Sequence, residues 1–149
     1  MPTNILSISY IEASKIVLSI IEKAGTDGGD PVAVAVVNYA GSLVAFTAMD
    51  NLMLASIKLS QSKAYSAIVG KRDTIHWAST KKNAEVIDFD MRNWTDDNFT
   101  CFTGGVLILH NQQIIGAVGV SGRKGKQGDA DVLMQDNELA EYGRSILNF

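Results

Sequence analysis

The longest apolar pattern in the chain lies in Gly104–Gly122, where two runs rich in β-branched residues flank the polar tetrad His110–Gln113. Two such runs around a short polar turn predict a β-hairpin. The apolar positions are nearly continuous rather than alternating, so we expect both faces of this hairpin to be covered. Gly116 and Gly119 interrupt the second run. Glycine in a strand indicates a bulge or a close approach by a helix, a neighbouring subunit or a ligand.

A helix is predicted near the N-terminus, because Ser9 and Glu12 have the spacing of a capping box. Apolar residues then recur at helical spacing over Ala13–Ala24, which gives an amphipathic helix. Gly25 is expected to end this helix in a left-handed conformation.

The next elements are a second hairpin and a second helix. Two apolar runs within Val32–Met49 are separated by Asn38–Ser42, whose glycine suits a hairpin turn. Asn51–Gly70 is predicted to be a helix with mostly small residues on one side, which would let it lie close to a sheet, and Gly70 is its expected stop. Asp50 is a candidate N-cap for this helix.

The remainder of the chain is less regular. Short helices are predicted at Thr74–Lys82 and Asn83–Ile87, followed by a long ordered loop over Asp88–Phe102. A last helix is expected to begin near Val132 or Asp136, with Asp136 as a candidate cap, and to end at Leu147. The whole pattern predicts an α+β domain with four or five antiparallel strands.

Composition limits the classes of function. The chain has 149 residues and a net charge of −3, which fits one domain spanning 1–149 and argues against nucleic acid as a partner. Its single cysteine, Cys101, excludes an intrachain disulfide and is expected to be a buried structural thiol. We find no secretory signal and no run long enough to span a membrane, so a cytoplasmic protein is expected.

Three segments together resemble the GlcG/HbpS family, which includes the C-terminal domain of PduO-type proteins. They are Val32–Asp50, the helical Ser56–Ala67 with its Lys63-Ala64 pair, and the hairpin Gly104–Gly122. The resemblance implies a profilin-like fold, with a five-stranded antiparallel sheet flanked by helices, and homo-oligomers. It also implies haem binding and, for the PduO-type branch, a link to cobalamin-dependent glycerol and diol metabolism.

The chain departs from the family pattern at the haem ligand. The resemblance implies a ligating histidine in the N-terminal helix, but the only histidines here are His76 and His110. Haem iron takes His, Met, Cys or Tyr as its axial ligand. A methionine, one of the tyrosines Tyr10, Tyr39 and Tyr65, or His76 as the metal ligand would have to replace it. A partly exposed histidine on a short helix is the structural alternative for His76.

The candidate ligand-binding residues share small size, charge or a position at the end of an element. Lys63 would hold an anionic group such as a propionate or phosphate, and the glycines expose backbone amides that can bind anions. Turns and close packing are the alternative role for these glycines. The candidates are Met49, Asp50, Lys63, His76, Gly104, Gly105, Ser121 and Gly122.

Three functions remain open from the sequence. The first is a non-catalytic accessory protein that binds a tetrapyrrole, either haem or a corrinoid. The second is an enzyme that degrades haem or adenosylates a corrinoid. The third is an oligomeric interaction module without a ligand, which the apolar hairpin would suit.

Overall fold

The computed structural model describes residues 2–77, 95–124 and 133–147. Along the described chain, three helices are separated by two pairs of strands, and residues 74–77 are also helical. No helix in these three stretches is long and apolar enough to cross a membrane. The elements are α1 (Tyr10–Gly25), β1 (Ala33–Asn38), β2 (Leu43–Ala48), α2 (Ala55–Gly70), β3 (Gly105–His110), β4 (Gln113–Ser121) and α3 (Asp136–Ser145).

The sheet is antiparallel throughout, with the strand order β2-β1-β4-β3. The α+β prediction and both hairpins are confirmed. The described residues contain four strands, so the five strands implied by the family resemblance are not found there. One further segment approaches β4: the N–H of Ile8 donates to the carbonyl oxygen of Ile115. From Gly116 onward, that edge of β4 is paired with β1. The segment around Ile8 therefore makes one backbone hydrogen bond to β4 and does not form a strand.

Helices cover both faces of the sheet, as the continuous apolar pattern predicted. α1 and α3 pack on one face, and α2 packs on the other against β1, β3 and β4. Side chains alternate between the faces: Val118 and Val120 lie in the α1 and α3 core, whereas Ala117 contacts the α2 side. The larger core contains, among others, Ile16, Ile20, Val34, Val36, Val106, Ile108 and Leu139, all fully buried.

A pair of glycines lets α2 lie directly on the sheet. Gly105 and Gly119 face each other across β3 and β4. A Cβ atom on Gly119 would collide with the carbonyl oxygen of Ser60, and one on Gly105 would collide with that of Lys63. The predicted close approach at Gly119 is therefore confirmed, and the approaching element is a helix of the same chain.

The predicted end of α2 at Gly70 is confirmed, whereas the left-handed conformation predicted for Gly25 at the end of α1 is wrong. Gly25 is the last residue of α1 and does not adopt a positive φ; Thr26 follows it in right-handed helical geometry. α2 ends at Gly70, but Lys71 rather than a glycine takes the left-handed conformation, with φ of 54°. The capping box at the start of α1 is confirmed.

The predicted caps of the other two helices are also wrong. Asp50 does not cap α2, whose N-cap is Leu54 and makes no side-chain hydrogen bond. α3 begins with Gln135 as its N-cap, in a capping box with Glu138, so Asp136 is the first residue of the helix. Of the short helices predicted between 74 and 87, only the turn at 74–77 lies within the described residues. The predicted loop is described only from residue 95 onward.

Candidate functional site

The candidate site is centred on Lys63, a lysine of α2 whose side chain is 3% exposed. Its Nζ donates to the carbonyl oxygen of Val120 at 2.8 Å and to Oδ2 of Asp136 at 2.9 Å. α2 carries Lys63 towards the sheet because the backbone of the helix rests on the glycine pair. The lysine thereby joins α2, the end of β4 and the start of α3.

Two opposing effects act on the pKa of Lys63. Burial removes water from the ammonium group and lowers its pKa from the ordinary value of 10.5. The neighbouring carboxylate of Asp136 opposes this shift through its charge and its hydrogen bond. Burial is the larger effect, so the pKa remains below the ordinary value.

Asp136 organises the other side of the pair. Its Oδ1 accepts a hydrogen bond from the backbone N–H of Arg123 at 2.9 Å, while Oδ2 holds Lys63. Gly104 lies against the same pair, with φ of +122°, and a Cβ there would be 3.1 Å from Nζ of Lys63. Position 104 therefore requires a glycine, because of its positive φ and because a side chain would have no space.

A cavity of about 440 Å³ opens beside Lys63. It is formed by the N-terminal turn of α2, the segment around Phe102 and the chain that leaves β4. Its mouth is apolar, because Met53 and Phe102 are 66% and 65% exposed. The lining residues are Met53, Ala55, Ser56, Leu59, Lys63, Phe102, Thr103, Ser121, Gly122, Arg123, Lys124 and Asp136.

Two buried serines contribute hydroxyl groups to this cavity. Ser56, in the first turn of α2, is 1% exposed, and Ser121, the last residue of β4, is 3% exposed. Neither hydroxyl makes a hydrogen bond within the described part of the chain, and both residues line the cavity. A hydroxyl buried in this way is stabilised when a ligand or water supplies its hydrogen bond.

The charge of Arg123 is directed away from the cavity. Its guanidinium makes a paired contact with both carboxylate oxygens of Asp27, at 2.9 and 3.0 Å, and also donates to the carbonyl oxygens of Ala24 and Met134. The hydrogen bonds from Arg123 hold the pKa of Asp27 below its usual range. Lys124, whose side chain is 74% exposed, places a second positive charge at the rim of the cavity.

Five of the eight candidate residues are brought together. Lys63, Ser121 and Gly122 line the cavity, and Gly104 and Gly105 pack against Lys63. The structure shows that Gly104 and Gly105 serve close packing, which the sequence left as one of two roles.

The other three candidates lie elsewhere. Met49 packs against the core, and its sulfur accepts a hydrogen bond from the N–H of Val32 at 3.3 Å. Asp50 is exposed. His76 is exposed on the helical turn at 74–77 and does not line this cavity.

Sequence reasoning missed Ser56 and the partner role of Asp136. Asp136 was considered only as a helix cap, and it lies 73 residues from Lys63 along the chain. Ser56 was named only as the first residue of the family-like segment Ser56–Ala67 and was given no role in a site. The one available signal was the acidic residue at the start of a helix that follows a buried strand, and this signal is too common to identify a partner.

The described residues offer few iron ligands. Met53 is the cavity-lining residue whose side chain is of an axial-ligand type. Of the three candidate tyrosines, Tyr65 donates its hydroxyl to Asp96 at 2.6 Å, an interaction that raises the pKa of this tyrosine. Tyr39 lines a separate cavity of about 310 Å³, and Tyr10 is exposed. No cluster of three or more His, Cys, Asp or Glu side chains occurs in these described stretches.

Cys101 is buried beside Trp77 and Phe99. These two aromatic rings pack edge to face with their centroids 5.7 Å apart. The expected burial of this thiol is therefore confirmed.

Comparison with known proteins gives relatives that match over most of their length. Protein GlcG of Escherichia coli K12 is 34% identical over 121 residues, which are 81% of this chain and 85% of GlcG. The crystal structure of Klebsiella pneumoniae protein ORFY superposes with a TM-score of 0.82 and 26% identity, covering 99% of this chain and 97% of ORFY. The crystal structure of a PduOC–haem complex gives a TM-score of 0.80 at 21% identity, covering 96% of each chain.

The match to a family model is equally extensive. The model described as "Haem degrading protein HbpS-like" aligns with residues 8–136, from the bonded Ile8 beside β4 to the Asp136 that holds Lys63. It therefore includes all of the elements that form the cavity as far as the first residue of α3. The chain belongs to the HbpS-like family.

Proposed function

We propose that this protein is a haem-binding accessory protein whose cavity beside Lys63 holds the ligand. The proposal is supported by the family description, which refers to haem, and by the haem complex of PduOC, which has the same fold. The observation that carries it is the combination, in one cavity, of an interior lined by Lys63 and two hydroxyl groups with an apolar mouth. Haem has the same division, with two carboxylates at one edge of an apolar macrocycle.

The lining residues fit the two parts of haem differently. Lys63, Ser56 and Ser121 would hold a propionate, and Met53 and Phe102 would contact the apolar macrocycle. Burial by these residues would exclude water from that edge of the ligand. Bound haem would supply iron-centred redox chemistry and an intense absorption band. The thioether of Met53 is the group of this lining that would hold the iron.

A haemin titration followed at the Soret band tests this proposal. We expect a saturable red shift that is weakened in Lys63→Met and whose position changes in Met53→Leu. His76→Ala is the decisive comparison, because His76 was the ligand proposed from the sequence but does not line the cavity. If His76→Ala abolishes the band while Met53→Leu and Lys63→Met leave it unchanged, haem binds at His76 and the cavity is not its site.

Haem degradation is the second candidate, and the name of the family model favours it. A reductant and oxygen would be added to the haem-loaded protein, and the Soret band and released iron would be measured against haemin with a denatured sample. Loss of the band at the same rate in both samples supports the accessory role without turnover. A rate that depends on the folded protein supports the enzyme.

A corrinoid is the alternative tetrapyrrole, in keeping with the proposed link to cobalamin-dependent glycerol and diol metabolism. A relative from Citrobacter freundii, 27% identical over 132 residues, is described by its position between dhaT and dhaS. A parallel titration with cobalamin distinguishes the ligands. A spectral change with cobalamin and none with haemin would replace haem by a corrinoid in this proposal.

We also propose that the protein forms a homo-oligomer. Large apolar side chains are exposed on α1: Tyr10, Ile11 and Leu18 are 70%, 52% and 65% exposed. Apolar groups that lie together on a surface favour association. Light scattering should give a mass of at least twice 16.0 kDa, and Leu18→Lys should lower it. A stable oligomer that binds neither haemin nor cobalamin would instead support the interaction module without a ligand.

A further inference from the structure

The N-terminus of α2 faces the cavity without a capping side chain. Its N-cap is Leu54, which makes no side-chain hydrogen bond, and its first turn carries no acidic residue. Two of the first amides of α2 already have acceptors: the N–H of Ser56 donates to the carbonyl oxygen of Met53 at 2.9 Å, and that of Ile57 donates to the carbonyl oxygen of Leu54 at 3.1 Å. The helix dipole still places a partial positive charge at this end. Ala55 and Ser56, the first two residues of α2, line the cavity. Because α2 has 16 residues, the aligned peptide dipoles favour an anion at this end.

The two buried serines provide an independent observation at the same place. Ser56 and Ser121 come from different elements, are almost fully buried, and have hydroxyl groups without partners in the described residues. Neither hydroxyl oxygen belongs to the fully buried side-chain atoms that lack a partner, so both hydroxyl groups are open to the cavity that they line. Two such groups in one cavity indicate a site that is completed by hydrogen bonds to a ligand.

Lys63 adds a donor with a full charge. An ammonium group has three N–H donors, and the structure assigns two of them to Val120 and Asp136. The third is available to a ligand in the cavity that Lys63 lines. Asp136 beside it offsets most of the positive charge, so a group with one negative charge suits the site better than a doubly charged phosphate.

We infer that the α2 N-terminus, Ser56, Ser121 and Lys63 form a subsite for a carboxylate carried on an apolar body. The apolar part would lie against Met53, Leu59 and Phe102 at the mouth. This subsite recognises the carboxylate itself, which belongs either to a haem propionate or to a free carboxylic acid. The inference shares its cavity with the proposed function but requires no contact with iron.

The test uses ¹⁵N NMR of the whole protein titrated with butyrate. We expect saturable shifts of the amides of Ala55, Ser56 and Gly122, and no such shifts with butyramide, the neutral analogue. The Ser56→Ala/Ser121→Ala double variant should bind butyrate at least about tenfold more weakly, since it lacks both hydroxyl donors. Its own spectrum reports whether it is folded, and Ser42→Ala, at an exposed turn, is the matched control.

Metal-free protoporphyrin IX and its dimethyl ester distinguish the two sources of the carboxylate. Binding of the diacid but not of the ester, with displacement of butyrate, identifies a propionate. Binding of butyrate without binding of either porphyrin identifies a free carboxylic acid, so that the subsite stands and haem binding at this cavity fails. The inference is overturned if butyrate does not bind, or if it binds the double variant and the wild type equally.

Discussion

Asp136→Ala is the substitution that tests the centre of the site most directly. It removes the acceptor of Lys63, whose side chain is only 3% exposed, and leaves the backbone N–H of Arg123 without its partner. Loss of one member of a buried ion pair destabilises a protein by about 3–5 kcal/mol, because the remaining charge is buried without compensation. We therefore expect Asp136→Ala to lower the free energy of unfolding at pH 7 by an amount within this range. The loss should lie near the lower end, since the side chain of Asp136 is 12% exposed.

The loss should depend on pH in a defined direction. Without Asp136, only the lowering effect of burial acts on the pKa of Lys63, so this pKa falls further below 10.5. A lysine with a lower pKa in the folded state binds fewer protons there than when unfolded, so stability rises with pH between the two pKa values. These two pKa values of Lys63 lie further apart in the variant than in the wild type. The difference in the free energy of unfolding between the wild type and Asp136→Ala should therefore narrow as the pH is raised towards 10.5.

Urea unfolding followed by circular dichroism measures the effect. The midpoint should fall while the slope of the transition remains that of the wild type, since the surface exposed on unfolding is nearly the same. Asp97→Ala, which removes an exposed carboxylate, is the control and should change stability by less than about 0.5 kcal/mol. A double-mutant cycle with Lys63→Met completes the assay. If Asp136→Ala costs as much in the Lys63→Met background as in the wild type, the pair is not coupled and the reasoning is refuted.

Three further predictions follow from the same packing and charges. Lys63→Met should remove the wild type's gain in stability with rising pH below 10.5, measured by urea unfolding at several pH values; an unchanged pH profile would show that Lys63 is not desolvated. Gly119→Ala should cost about 1–3 kcal/mol or more because its Cβ meets the backbone of α2, whereas Gly25→Ala, with open space around it, should be neutral or stabilising; equal thermal midpoints would contradict the close contact. Arg123→Lys should lower stability and weaken its decline in acid, since lysine cannot reproduce the paired contact that lowers the pKa of Asp27; an unchanged acid titration would oppose this.

The sequence predicted those elements that depend on local repetition. The stripe over Ala13–Ala24 and the capping box of Ser9 determine α1 locally, and the structure agrees with both. The two hairpins follow equally from apolar runs on either side of short polar turns. The turn of the second hairpin consists of two residues, Asn111 and Gln112, both with positive φ, which suits the twist of the strands.

Helix termini were harder to predict because several residue types compete there. Gly25 and Gly70 follow the usual pattern for a C-terminus, yet Thr26 and Lys71 close the two helices. The left-handed conformation costs a lysine little free energy, so the packing of the residues on either side of Lys71 decides whether it is adopted. The same applies to Asp136, which tertiary contacts use as an acceptor for Lys63 instead of as a cap.

The sequence singled out some of the residues that line the cavity, but it could not show which residues they meet there. Lys63, Ser121 and Gly122 were candidates, and the structure places all three on one cavity. Their partners come from segments far away along the chain, and no local period connects them. Ser56 opens one of the segments that resemble the family, but this position assigns it no role, because a serine in a helix is equally compatible with solvent, a backbone contact or a ligand.

The glycines of the second hairpin explain why the site exists at this place. Gly105 and Gly119 remove side chains from adjacent strands, and α2 consequently rests its backbone on the sheet between Ser60 and Ala64. This contact fixes the depth of α2, so that Lys63 reaches the carbonyl oxygen at Val120. It also brings the first turn of the helix to the end of β4, where Ser121 is the last residue. A methyl group on either glycine would displace α2 and with it the ion pair of Lys63, so these glycines shape the candidate site through packing.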